Sequence, residues 1–255
     1  MEDAELFPPG RVALVTGASA GLGAQFARVL ARAGCRVAIA ARRTDRLAAL
    51  AAEITADGGV AYPLAIDVAD VGSVRAGAAA VADRLGPIEI LVNNAGISLT
   101  RRIEAVEEAE YDGLMDTNLK GAFFMAQAAA RQMIAAELPG RIVNIASIVG
   151  QRTVGQLSVY GMAKAAMIQM THSMAREWGR HGINTNAICP GYIETEMAAD
   201  FLTTEAGQRF VATMPRKRFG VPADLDALLL MLCSGEASRF INGAIINADD
   251  GFTSH

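Results

Sequence analysis

Apolar and polar positions along the chain follow two alternating patterns. Short runs rich in β-branched residues, Val12–Val15, Arg36–Ala41, Val60–Ile66 and Ile88–Val92, are almost continuously apolar, as strands covered on both faces require. Between them lie longer Ala-rich stretches with apolar residues every three or four positions. These predict helices near 22–33, 44–57 and 71–85. The second half repeats the scheme with long helices over 107–136 and 157–180, separated by a strand at Arg141–Ala146. A strand at Ile183–Ile188, a helix near 222–233 and a last strand at Ala244–Asn247 complete it. Strands alternating with helices predict right-handed crossovers, hence an α/β fold with a doubly wound, mostly parallel sheet and helices on both faces. No Ser/Pro-rich linker, repeat or low-complexity tract divides the chain, so residues 1–255 read as one domain. The segment 192–218 has no clear period. In such a sheet, loops beyond the strand C-termini line the ligand crevice, which makes this segment a candidate substrate lid.

Composition removes several function classes. The 255 residues are 52% hydrophobic, enough for a sizeable core, and carry a net charge of −4. That charge argues against nucleic acid as a partner, and the pairs Arg42-Arg43 and Arg101-Arg102 are too short to reverse it. Cys35, Cys189 and Cys233 show no C-x-x-C spacing, so reduced core thiols are expected and a metal site is not. The opening MEDAELFPPG lacks the basic and apolar regions of a signal peptide, and no apolar run has membrane-spanning length. A cytoplasmic protein with no membrane partner is the expectation.

Candidate chemistry starts at Thr16-Gly-Ala-Ser-Ala-Gly-Leu-Gly23, between the first strand and the first helix. Glycines 17, 21 and 23 allow a pyrophosphate to approach a helix N-terminus, where free N–H groups and the dipole favour anions. The spacing G-x3-G-x-G also fits a plain tight turn. At the end of the second strand, neutral Ala41 is followed by Arg42 and Arg43. An acidic residue there would select NAD; two arginines offer charge-assisted donors to a 2′-phosphate, or are simply solvated first-turn residues. Tyr160 and Lys164 are four residues apart, a spacing that places both on one helix face.

Together, TGASAGLG (16–23), Asp67-Val68, NNAG (93–96), Asn118, Ser147, Tyr160-x3-Lys164 and Pro190-Gly191 occur in the order seen in the short-chain dehydrogenase/reductase family, which the chain resembles from Gly10 to Gly251. The resemblance implies a Rossmann-type fold and hydride transfer between a nicotinamide and a ketone or secondary alcohol. It implies Tyr160 as general acid/base, Lys164 stabilising its phenolate and binding the nicotinamide ribose, Ser147 holding the substrate oxygen, and Asn118 anchoring a relay water. For the cofactor it implies Gly17, Ser19, Gly21, Leu22 and Gly23 at the phosphates, Arg42 and Arg43 at the adenosine end, and Asp67 and Val68 at the adenine. Asn94, Ala95 and Gly96 pack on the nicotinamide ribose, and Pro190, Gly191, Ile193 and Thr195 on the carboxamide. NADP(H) is preferred, with NAD possible.

For the substrate, Ser147, Ile148, Val149, Gln156, Tyr160 and Tyr192, with Met197 and Phe201 from the lid, form a mostly apolar set. A small carbonyl or alcohol of moderate hydrophobicity fits it better than a phosphorylated sugar. 3-Oxoacyl carrier-protein reductases and sugar or polyol dehydrogenases are the alternatives. Carrier-protein reductases use arginines where this chain has Leu138 and His181, although Arg180 is adjacent. A non-catalytic nucleotide-binding scaffold usually lacks part of the tetrad that is complete here. Apolar residues on more than one face of the two long helices, as in Gly121–Gln127, suggest a homo-oligomer, a tetramer or a dimer. In Asn247-Ala-Asp-Asp-Gly251, Asp250 stands where the family usually has glycine.

Overall fold

The computed structural model describes residues 7–195 and 203–254. Seven parallel strands form one sheet in the order β3-β2-β1-β4-β5-β6-β7. They are β1 (Val12–Thr16), β2 (Arg36–Ala41), β3 (Val60–Ala65), β4 (Ile90–Asn93), β5 (Gly140–Ile145), β6 (Ile183–Pro190) and β7 (Ile245–Ala248). Strands β1, β4, β5 and β6 are buried along their whole length, and the polar residues within them are buried too, Asn144 and Asn184 through side-chain hydrogen bonds. The edge strand β3 is half exposed and holds Pro63, a residue an edge tolerates because one side of its backbone needs no ladder partner.

Helices cover both faces. On one lie α1 (Gly21–Arg32), α2 (Thr44–Ala56) and α8 (Asp226–Cys233), whose Phe26, Leu30, Leu47 and Leu229 pack with Val15, Ile39 and Val92 of the sheet. On the other lie α3 (Val71–Leu85), α5 (Gly121–Ala135) and α6 (Ser158–Trp178), where Met125, Met133 and Met167 pack on Leu14, Leu91 and Ile142. The order reverses between β1 and β4, which opens a crevice beyond the strand C-termini.

Two elements differ from the sequence reading. The stretch 107–136 is not one helix: α4 (Glu108–Met115) passes through a wider π-turn, Asp116–Lys120, into α5. Gly121 donates its N–H to the Asp116 carbonyl five residues back, and the buried Asn118 sits inside the widened turn. The aperiodic segment contains a helix, α7 (Glu205–Ala212), capped by the Thr204 hydroxyl accepting from Gly207 N–H at 3.0 Å.

Candidate active site

The C-terminal ends of β1, β4, β5 and β6 converge on a cavity of about 530 Å³. At its floor the glycine turn leaves β1 for α1. Cβ atoms added at Gly17 and Gly23 would lie 2.8 Å from Ala95 Cα and 2.4 Å from the Gly17 carbonyl oxygen, so neither position admits a side chain. Gly21 has φ +53°, and a Cβ there would meet only Thr195, at 3.5 Å, across the cavity. The N-cap of α1, Ala20, has no side chain to cap the helix, and the first turn holds no acid. Its free N–H groups are therefore left for an anion.

A hydroxyl and an amide hold this turn in place. Thr16 Oγ1 accepts from the backbone N–H groups of Asn94 and Ala95 at 3.0 and 3.1 Å. The Asn94 amide donates to the Thr16 and Gly17 carbonyls at 2.9 and 3.3 Å. Asn94 thus ties β4 to the turn, while Ala95 and Gly96 line the cavity.

At one end of the crevice, Arg42 and Arg43 flank the cavity. Arg43 Nε donates to Ser19 Oγ at 3.1 Å, and exposed Arg42 makes no ion pair among the described residues. Asp67 Oδ1 accepts from Ala69 N–H at 3.0 Å, which fixes the carboxylate, and Asp67 and Val68 both line the cavity. The dimensions, the uncapped helix and the paired arginines fit a dinucleotide carrying a 2′-phosphate.

At the other end stand the reactive candidates. Ser147, which follows β5, accepts from Val149 N–H at 3.1 Å and hydrogen-bonds Tyr160. Lys164 is 4% exposed; its Nζ donates to the Ile145 carbonyl at 2.6 Å and lies 5.7 Å from the Tyr160 ring centroid. Burial pulls the Lys164 ammonium down to about 8. It also pushes the Tyr160 phenol up, a shift that the Ser147 hydrogen bond partly opposes. The fold without cofactor therefore raises the phenol. Desolvation penalises phenolate and ammonium alike, so lowering the phenol takes further positive charge in the cavity.

Asn118 does not point a free amide at the site. Its Oδ1 accepts from Ile97 N–H and its Nδ2 donates to the Ile97 carbonyl, both at 2.8 Å. Its side chain is thereby held on the Ile97 backbone. Beyond Pro190-Gly191, Ile193 forms an isolated bridge with Gly220, through Gly220 N–H to Tyr192 and Glu194 N–H to Gly220. In a parallel bridge the paired residue's own N–H and C=O face away from the partner, so those of Ile193 are turned from Gly220.

Residues 11–206 match the short chain dehydrogenase family model. The chain is 37% identical over 245 residues to gluconate 5-dehydrogenase of Gluconobacter oxydans, covering 96% of this chain and 95% of that one. It belongs to the short-chain dehydrogenase/reductase family. Its relatives differ in substrate: the 3-oxoacyl-[acyl-carrier-protein] reductase of Staphylococcus aureus is 36% identical over 94% of this chain and 96% of its own. The solved gluconate 5-dehydrogenase of Burkholderia cenocepacia, in complex with NADP and tartrate, superposes with a TM-score of 0.95. It is 36% identical and covers 100% of both chains.

As a short-chain dehydrogenase/reductase, the chain is an oxidoreductase acting on CH–OH groups. Ser147, Ile148, Val149, Tyr160 and Tyr192 line the cavity together. Gln156 does not join them: it is exposed, with φ +66°, and its carbonyl accepts from Arg101 N–H at 2.8 Å. Met197 and Phe201 lie outside the described residues. Ser98, Thr117 and Leu157 line the cavity without having been singled out, as each lies beside a recognised motif rather than in it.

Proposed function

We propose that the protein is an NADP(H)-dependent ketoreductase that, in reverse, oxidises secondary alcohols, acting on uncharged substrates. The observation that carries the substrate class is the lining around Ser147 and Tyr160. Ile97, Ser98, Ile148, Val149, Leu157 and Tyr192 surround that end, and among the described lining residues Lys164 is its one ionisable group besides the tyrosines. Lys164 is 4% exposed and donates to the Ile145 carbonyl, and no other cation among the described residues lines that end to pair a substrate carboxylate or phosphate. Arg42 and Arg43 support NADP(H), and the Burkholderia relative solved with NADP agrees.

Nicotinamide, when bound, supplies or accepts the hydride; the chain arranges everything else. Ser147 Oγ and Tyr160 Oη hold the carbonyl oxygen, and charge develops there as the carbon is reduced. Tyr160 gives its proton to that oxygen, and its raised phenol keeps it protonated for this role at neutral pH. Lys164 then steadies the phenolate left behind. Ile193 and Thr195 would orient the ring.

A sugar or polyol substrate is the second reading, favoured by the relatives that are gluconate 5-, sorbitol and D-threitol dehydrogenases. A carrier-protein substrate has less support, since Arg180 already donates to His181 at 3.0 Å. The test is turnover of aryl ketones, acetoacetyl-CoA and gluconate-type sugars with NADPH and with NADH. Preferred turnover of uncharged ketones with NADPH, reduced by about 10²-fold or more in Tyr160→Phe, is expected. A preference for gluconate, or full activity in Tyr160→Phe, would overturn the reading.

We also propose that the chain is cytoplasmic, that 192–218 closes over the substrate within a single domain, and that copies associate through the α5–α6 face. Among the described residues no helix is long and apolar enough to cross a membrane. A groove of about 770 Å³ runs between α5 and α6, with Phe123 41% exposed and Ile134 36% exposed along it.

A further inference from the structure

The C-terminal turn after β7 touches each wall of the substrate end. Asn247, in β7 just before the turn, and Gln151 exchange amide hydrogen bonds at 2.9 and 3.1 Å, which joins the strand end to the loop that carries Ser147 and Val149. Arg152 on the same loop donates to the Thr253 carbonyl at 2.8 Å. A Cβ on Gly191 would lie 2.8 Å from Asp249 Cα, so the turn backs directly onto Pro190-Gly191. The Phe252 ring lies 5.5 Å from Tyr192 and 5.9 Å from Phe210 of α7, which extends the contact to the cavity wall. Asp250 adopts φ +56°, a left-handed conformation that aspartate accepts more readily than most side chains. Its carboxylate takes Arg216 Nε on one oxygen and Arg218 Nε on the other, each at 3.2 Å. Arg218 also reaches Asp224 at 3.3 Å.

We propose that Asp250 is a positioning residue for substrate and cofactor binding, clamping the strap that follows α7 onto the nicotinamide end of the cavity. The route is short. Arg218 is followed by Phe219, whose ring lies 5.4 Å from Tyr192, and by Gly220, which holds Tyr192 and Glu194 through backbone bonds at 2.9 and 2.8 Å. Those two bonds set Ile193 between them. Fixing Arg218 therefore fixes Tyr192 on the substrate side and Ile193 on the ring side. A glycine at 250 would satisfy the backbone equally well, so the carboxylate, not the φ angle, is what the clamp needs. The two ion pairs are partly exposed, which makes the clamp sensitive to salt.

The inference rests on the cofactor and substrate reading of the cavity, and two measurements separate the failures. The first is NADPH binding by cofactor fluorescence together with steady-state kinetics on the best ketone. In Asp250→Asn the NADPH Kd and ketone KM should rise about fivefold at low salt, with the effect on KM rather than kcat. The wild-type ketone KM should climb toward the variant's between about 0.05 and 0.5 M NaCl, while the variant's stays flat. The second is trypsin, whose targets Arg216, Lys217 and Arg218 are in the strap itself. Cleavage there should be about fivefold faster in Asp250→Asn. Wild-type protein that fails to bind NADPH would refute the cavity reading. Wild-type binding with unchanged Kd, KM and cleavage in Asp250→Asn would refute the clamp alone.

Discussion

The Lys164 side chain is 4% exposed, and burial lowers its ammonium from 10.5 to about 8. The unfolded chain has no such penalty, so the shift becomes a dependence of stability on pH. Below 8 both states are protonated and the folded state bears the full cost of a buried charge. Between 8 and 10.5 the unfolded chain keeps a proton that the folded one has released, so this lysine's contribution to stability rises with pH. Tyr160 acts in the opposite sense, but only as pH passes the ordinary phenol value of 10.0, because its folded value is raised. Urea unfolding of wild type and Lys164→Met at about pH 7 and pH 9.5 isolates the term. Wild type should gain about 2–3 kcal/mol on the variant across that window. Parallel stabilities would show that the ammonium is not desolvated. The variant should also be inactive while being at least as stable near neutrality, since the lost bond to Ile145 offsets only about 1 kcal/mol.

Among the elements, the glycine turn ties sequence most tightly to geometry. A Cβ on Gly23 would be 2.4 Å from the Gly17 oxygen and 2.5 Å from Asn94 Nδ2, so Gly23→Ala must push apart the turn and the β4 end together. NADPH affinity should fall at least tenfold, with about 1–3 kcal/mol lost in denaturant unfolding. Gly155→Ala, where a Cβ meets nothing within 4 Å, should leave both unchanged, and equal effects in the two variants would discount the turn. The turn was legible because its constraint is local: glycine spacing between an apolar run and a helix. The buried strands were legible for the same reason. Thr16 was not, because its role depends on β1 lying beside β4, a neighbour relation absent from local pattern. The π-turn escaped because the contact that accompanies it joins Asn118 to Ile97, 21 residues away. Helix α7 escaped because Phe210 finds its partners, Tyr192 and Phe252, from distant segments. Gln156 misled because proximity in sequence to Tyr160 does not survive its left-handed backbone, which leaves the side chain exposed.

At the scale of the whole molecule, α6 has two faces with different duties. One presents Tyr160 and Lys164 to the cavity; the other, with Ala166, Gln169, Met170 and Ser173, forms the groove shared with α5. The π-turn that holds Asn118 continues into α5, so both helices bordering the groove are rooted in the site. A second copy seated there would bury Phe123 and Ile134 in a bundle of two helices from each subunit, and would brace the helix carrying the acid/base pair. Light scattering after size exclusion should therefore return a multiple of the 26.7 kDa chain mass. Phe123→Asp places a charge in that interface without touching the cavity lining, and should shift the protein toward monomer. Turnover per subunit should drop with dissociation and recover as protein concentration rises, because association restores the brace. A Phe123→Asp protein of unchanged mass would remove this face as the interface. A monomer with undiminished turnover would show that α6 is held rigidly enough by its own sheet.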